Sequence, residues 1–210
     1  MNLDREVASK LLQIKAIKLS PQKPFTWASG ILSPIYCDNR ITLSYPEVRA
    51  FIIEGFVQLS QQFQDIEVVA GVATAGIPHG ALLADRLGLP FVYVRSKAKG
   101  HGRQNLIEGH LPEGKNVLVI EDLISTGGSS LQAIQGLKEA GANILGALAI
   151  FTYGFDQAVE AFAAADCPFD TLSNYEVLVE EAQKEGYVTS ADLEVLKKWR
   201  GAPQTWSPAI

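Results

Sequence analysis

Apolar residues first recur at helical spacing, at Leu3, Val7, Leu11 and Leu12, which predicts an amphipathic lead-in helix. Lys10, Lys15 and Lys18 follow toward its end, where the helix dipole favours cations. From Ser20 to Asp38 the period is lost. Prolines and serines accompany Phe25, Trp27, Tyr36 and the turn signal Ser29-Gly30, so this stretch predicts irregular structure with short extended pieces, a hood or edge. A second stripe, Val48, Phe51, Ile52, Gly55, Phe56, Leu59 and Phe63, predicts a helix capped by Ser44 and opened by Pro46.

From Glu67 the pattern alternates between apolar runs and helical periods. Strands are predicted at Glu67 to Val72, Pro90 to Arg95, Asn116 to Ile120 and Ile144 to Phe151, and helices at Ile77 to Leu87 and from about Gly128 to Ala140. Such alternation implies an α/β fold, a mostly parallel central sheet flanked by helices, with right-handed crossovers. Ligands on these sheets bind beyond the carboxyl ends of the strands. Phe155 to Ala164 and Ser190 to Trp199 also read as helices, and the closing GAPQTWSPAI as a tail expected to be partly disordered. The chain shows neither internal repeat nor linker. It reads as a single domain over 1–210, with the lead-in helix and hood over about 1–45, the core over about 46–165 and an extension over about 166–210.

Composition narrows the class. With 47% hydrophobic residues in 210, the chain can bury an ordinary core without disulfides. Cys37 and Cys167 are far apart and form no CxxC or Cys/His cluster, so a structural zinc or redox motif has no support. Neither an export leader nor a long apolar run is present, so a cytoplasmic location without membrane contact is expected. A net charge of −5 argues against nucleic acid as a partner, because affinity for that polyanion rests on Lys and Arg.

Two segments stand out against this background. Ser96 to His110, SKAKGHGRQNLIEGH, lacks periodicity and carries Lys97, Lys99, His101, Arg103 and His110 against the single acid Glu108. A run of that length without structure inside a compact domain is usually functional or disordered. In Val117 to Ser130, VLVIEDLISTGGSS, the acids Glu121 and Asp122 end an apolar strand, and Leu123 to Ser129 lead directly into a helix. Such a turn offers backbone N–H groups and a positive helix end to a phosphate monoester, with Ser125, Thr126 and Ser129 as hydroxyl donors. Carboxylates for ribose hydroxyls and a nest for phosphate together suit a ribose 5-phosphate. The plain alternative is a strand ending at an acidic helix cap. Other phosphate loops are excluded: Gly71 to Gly76 has P-loop spacing but continues Ile77-Pro78, and no GxGxxG follows a strand.

The Val117 to Ser130 motif closely resembles the signature of type I phosphoribosyltransferases. Further stretches resemble the orotate-using branch: FTWASGILSPIYCDNR its substrate hood, GVATAGIPHG its pyrophosphate loop and YVRSKAKGHGRQNLIEG its catalytic loop. The likeness covers Phe25 to about Tyr153 and implies that fold with a small N-terminal hood. It implies transfer of phosphoribosyl from 5-phosphoribosyl 1-pyrophosphate (PRPP) to orotate in pyrimidine (UMP) synthesis. Glu121 and Asp122 would hold ribose, and Leu123, Ile124, Ser125, Thr126, Gly127, Gly128 and Ser129 the 5′-phosphate. Thr74, Ala75 and Gly76 would hold pyrophosphate, in a loop that in this family often contains a cis non-proline peptide. Arg95, Lys99 and His101, with Lys97 as a further candidate, match the basic residues that meet the departing pyrophosphate; Lys99, His101, Arg95 and Asp122 are the catalytic candidates. Mg²⁺ would be held through PRPP oxygens rather than by protein ligands. A homodimer with the basic loop shared across subunits is the implied assembly.

The chain departs from parts of that pattern. Ala75 and Ser96 stand where another branch has lysine, and Ala28 and Leu32 replace hood lysines of some members. An arginine that meets the orotate carboxylate elsewhere has no counterpart in IFTYGF. Ser125, Ile35 and Tyr36 are left to supply hydroxyl and backbone contacts to orotate. Two other readings stay open: a purine or uracil phosphoribosyltransferase, and a non-catalytic PRPP-sensing regulator. His79 reads as a packed or exposed residue and not a catalyst, and Trp199, Trp206 and Cys37 read as packing residues.

Overall fold

A computed structural model of the chain describes residues 2–27, 30–96 and 106–207. The fold divides into two compact units, one of Glu47–Leu172 and one that joins the chain up to Pro46 with the chain from Ser173 onward.

The second of these opens with α1 (Leu3–Gln13), which buries Val7, Ala8, Leu11 and Leu12 as the apolar stripe requires. Of the three lysines assigned to its end only Lys10 is in the last turn; Lys15 sits in the following turn at φ 59° and Lys18 lies on the next strand. Four short strands then form two antiparallel pairs, β1 (Ile17–Leu19) with β4 (Ile35–Cys37) and β2 (Phe25–Thr26) with β3 (Leu32–Ser33). This is the irregular, partly extended hood that the aperiodic stretch implied. A 3-10 turn over Asn39–Ser44 follows, so Ser44 is not the cap of the next helix. Pro46 does open α2 (Pro46–Ser60), where its missing N–H costs nothing in a first turn.

The Glu47–Leu172 unit is built on one sheet. In chain order it contains all of α2 after Pro46, β5 (Val68–Val72), α3 (Gly76–Leu87), β6 (Phe91–Val94), β7 (Ile107–Glu108), β8 (Asn116–Ile124), α4 (Gly128–Glu139), β9 (Asn143–Thr152) and α5 (Asp156–Ala164), and it ends within β10 (Phe169–Asn174). The strand order is β10-β9-β8-β5-β6-β7. β5 pairs parallel with β6 and β8, and β8 parallel with β9, while β7 runs antiparallel to β6. Val68, Ala70, Val72, Val117, Val119, Ala147 and Ala149 pack with Ala133, Ile134 and Leu137 of α4 and Ala158 and Phe162 of α5. The fully buried β5 has lost the alternation of a half-exposed strand because helices cover the sheet.

Three boundaries differ from the sequence reading. β8 does not stop at Ile120 but continues through the acidic pair, because Glu121, Leu123 and Ile124 pair with Ala149, Phe151 and Thr152 of β9. The basic segment gives up Ile107 and Glu108 to β7. β10 and the helix after it, α6 (Tyr175–Lys184), were not anticipated; α6 has its own cap, Asn174, whose side chain accepts from the Val177 N–H. The closing α7 (Ser190–Gly201) carries a full capping box at Thr189 and Asp192. It buries Trp199 completely, against Trp27 and Tyr175 at ring-centroid distances of 5.7 and 5.4 Å. None of the helices among the described residues is long and apolar enough to cross a membrane.

Candidate active site

The carboxyl ends of β5, β6 and β8 lie side by side, and three sequence segments meet there. The first is the turn from β5 into α3. Its Ala73 N–H donates to the Val94 carbonyl at 2.8 Å, which ties the turn to the end of β6, and the Ala73–Thr74 peptide bond is cis. Helix and sheet approach so closely here that a Cβ on Gly76 would overlap the Ile120 carbonyl oxygen, and one on Gly71 would lie 2.9 Å from the Gly76 oxygen. Small residues at these positions are therefore a packing requirement. Thr74 is exposed, with Ala75 half-buried beside it. Behind them His79 is wholly buried, and that burial, reinforced by the Arg49 charge, lowers its pKa to about 4, so the ring is neutral.

The second segment is the turn from β8 into α4. Gly127 holds φ 83° as the N-cap of α4, and neither a side-chain cap nor a first-turn acid occupies that helix end. Within the described residues no hydrogen bond engages the hydroxyls of Ser125, Thr126 or Ser129. The base of the turn is fixed instead by Thr152, whose Oγ1 donates to the Ile124 carbonyl at 2.9 Å and accepts from the Gly154 N–H at 3.0 Å. A positive helix end thus faces outward with donors clustered around it.

Immediately before this turn the acidic pair divides. Glu121 is only 5% exposed, and its carboxylate accepts from Ser130 Oγ at 3.1 Å and from the Asp122 N–H at 3.0 Å. Burial, and secondly the neighbouring Asp122 charge, push Glu121 well above the ordinary carboxylate range. Asp122 is half-buried and is the more accessible of the two. The role of Ser130 as the partner of Glu121 was not read from the motif; its signal was a second hydroxyl in the first turn of α4. Thr152 likewise stood out only as a hydroxyl closing an apolar strand.

The third segment begins at Arg95. Its backbone N–H donates to the Leu106 carbonyl at 2.8 Å, and its guanidinium pairs with Glu108 at 3.4 Å. Lys97, Lys99 and His101 lie outside the described residues. In the hood, Ile35 is completely buried, its N–H donating to Ser33 Oγ at 3.2 Å and its carbonyl accepting from Trp27 Nε1 at 3.1 Å. Tyr36 is 39% exposed and packs its ring on Phe25. Cys37 is half-buried, whereas Cys167 is buried and its thiol is pushed up to about 11, chiefly by burial.

Residues 44–181 match the phosphoribosyl transferase domain family. An orotate phosphoribosyltransferase of Listeria innocua is 54% identical over 207 residues, covering 98% of this chain and 99% of the relative, and one of Lactococcus lactis is 53% identical over the same shares. Among solved structures, the orotate phosphoribosyltransferase of Aeropyrum pernix superposes with a TM-score of 0.75 at 29% identity, over 87% of this chain and 99% of that one. The UMP synthase of Leishmania donovani gives a TM-score of 0.80 at 25% identity over 94% of this chain, which spans only 42% of that longer protein. With an open helix end behind an acidic pair and this degree of identity over nearly its whole length, the chain belongs to the phosphoribosyltransferase family and, within it, to the orotate phosphoribosyltransferases.

Proposed function

We propose that this protein transfers the phosphoribosyl group of PRPP to orotate, giving orotidine 5′-monophosphate and pyrophosphate in pyrimidine synthesis. The observation that carries the choice of base is the 54% identity, over 98% of the chain, to enzymes bearing that name. The geometry supports the assignment of parts. The open helix end at Ser125 to Ser129, reached from Leu123 and Ile124 at the end of β8, takes the 5′-phosphate, and Asp122, backed by Glu121, takes the ribose hydroxyls. The Thr74-Ala75-Gly76 turn and Arg95 flank the pyrophosphate, with Lys97, Lys99 and His101 added from the basic segment. Ser125 and Tyr36 are the candidates for orotate that the geometry supports; Ile35 is buried, with its N–H and carbonyl already engaged by Ser33 and Trp27, and drops behind them.

Cleavage of C1′–O1 leaves a cation-like ribose while negative charge grows on pyrophosphate. Cations positioned at that leaving group stabilise the charge as it develops, and exclusion of water protects the donor from hydrolysis. Among the described residues no group of three His, Cys, Asp or Glu is arranged to hold a metal. Mg²⁺, which prefers oxygen ligands and phosphates, would be carried by PRPP oxygens and would neutralise part of the diphosphate charge. We place the enzyme in the cytoplasm as a homodimer whose basic segment serves the neighbouring site.

Incubation with PRPP, Mg²⁺ and each of orotate, uracil and hypoxanthine tests the reading. Orotidine monophosphate and pyrophosphate should form in equal amounts with orotate. Turnover of uracil or hypoxanthine alone would replace the base, and PRPP binding without turnover of any base would replace the enzyme by a sensor. Asp122→Asn should lower kcat/KM for PRPP by about tenfold or more, the worth of charge-assisted hydrogen bonds to ribose. Mixing Asp122→Asn with Lys99→Ala protein should recover activity when the basic segment acts across subunits; absence of recovery points to action within one chain.

A further inference from the structure

Arg95 stands beside the pyrophosphate turn, since the preceding residue, Val94, accepts the hydrogen bond from Ala73. Its guanidinium nevertheless already has an anionic partner. β6 and β7 pair with Tyr93 opposite Glu108 and Val94 opposite Ile107, and the ladder is prolonged by the Arg95 N–H to the Leu106 carbonyl. Arg95 is two residues beyond Tyr93 and so leans to the same side of the strand, diagonal to Glu108, a separation that long side chains span. The result is the 3.4 Å contact from Arg95 Nη1 to Glu108 Oε1.

This pair differs from one that builds a core. The side chains are 28% and 37% exposed, so water already reaches them and separating them strands neither charge in an apolar medium. Glu108 presents carboxylate oxygens to the same planar fork that phosphate oxygens would use. It is also the single acid among the basic residues between Ser96 and His110. A diphosphate brings several negative charges to that fork where Glu108 brings one.

We infer that Glu108 is a built-in competitor of pyrophosphate: it occupies the Arg95 guanidinium in the ligand-free site, yields it to the diphosphate, and takes it back as pyrophosphate leaves. This rests on the reading of Arg95 as a pyrophosphate-binding residue. The sign of the effect separates it from ordinary positioning. A residue that merely held Arg95 in place would weaken pyrophosphate binding when removed, whereas removing a competitor tightens it.

The test is calorimetric titration of inorganic pyrophosphate, with Mg²⁺ present, into the wild-type protein, Glu108→Gln, Arg95→Ala and the double variant. Glu108→Gln should bind pyrophosphate about two- to five-fold more tightly, the range of a partly exposed ion pair. Arg95→Ala should bind it more weakly, and in that background Glu108→Gln should have no further effect. Weaker or unchanged binding in Glu108→Gln, with Arg95→Ala still weakened, overturns the competition and leaves the assignment of Arg95 standing. Unchanged binding in Arg95→Ala overturns both.

Discussion

The two turns at the carboxyl ends of β5 and β8 are both made of small residues, yet for opposite physical reasons. At the turn from β5 to α3 the glycines are demanded from within: Gly71, Gly76 and Gly80 let the helix lie directly on the strands, and a Cβ at Gly80 would lie 2.9 Å from the Phe91 ring and 3.2 Å from Gly71 Cα. At the turn from β8 to α4 the space lies outside. A Cβ on Gly128 meets nothing within 4 Å, and only Gly127, with its positive φ and the Phe162 ring 2.9 Å from a Cβ there, is constrained. One turn is shaped by the protein's own packing and the other is left open. Glycine content alone does not separate a packed turn from an open one; the surroundings of the missing Cβ do.

That contrast sets an order of expected effects. Gly76→Ala should be the most damaging, with a loss of about 3 kcal/mol or more in chemical unfolding, because the obstacle is a backbone carbonyl and not a side chain able to move. A loss below about 1 kcal/mol would mean that the close approach of α3 to β8 is not needed.

His79, beneath the same turn, gives the next effect. Its folded pKa lies near 4, below the ordinary 6.5, so the unfolded chain binds the extra proton first. Its contribution to stability is complete above pH 6.5 and is lost as pH falls through about 4, amounting to about 3 kcal/mol. His79→Gln should flatten that acid limb in denaturant midpoints measured against pH.

Glu121, beneath the open turn, carries the opposite sign. Its folded pKa is raised, so its contribution is complete below its ordinary value of 4.5 and declines as pH rises. Glu121→Gln should gain on the wild type progressively above that pH in the same midpoints, and a constant offset would remove the buried acid from the account. The smallest change is expected at Gly128→Ala: stability within about 1 kcal/mol of wild type, on helix propensity alone. Its effect should show instead as weaker PRPP binding, since the added methyl enters the open side of the phosphate turn.

The parts of this fold that could be read from sequence were those whose signals are local. The apolar run Val68–Val72, the helical stripe of α4 and the strand after it declared themselves by period. The open turn before α4 was legible because backbone donors, hydroxyls and a helix start fall within a few residues. The continuation of β8 through Glu121 and Asp122 was not legible, since acids normally close a strand and only pairing with β9 carries it on. β10 was hidden for a related reason: FDTLSN has weak strand propensity and is held by its neighbour in the sheet. α6 could have been found, as Tyr175, Leu178, Val179 and Ala182 are helically spaced and buried behind the Asn174 cap. Ser130 and Glu108 escaped because each matters through a partner that only the folded chain brings near.

The two-residue strand β7 has a consequence beyond Arg95. It closes the order of the sheet next to β6 and is far too brief to template another chain, and one of its two residues is charged. Long, uncharged borders of sheets invite edge-to-edge association between molecules. By ending its sheet on Ile107–Glu108, the protein places a guard against edge-to-edge pairing and the ion-pair partner of Arg95 in the same residue.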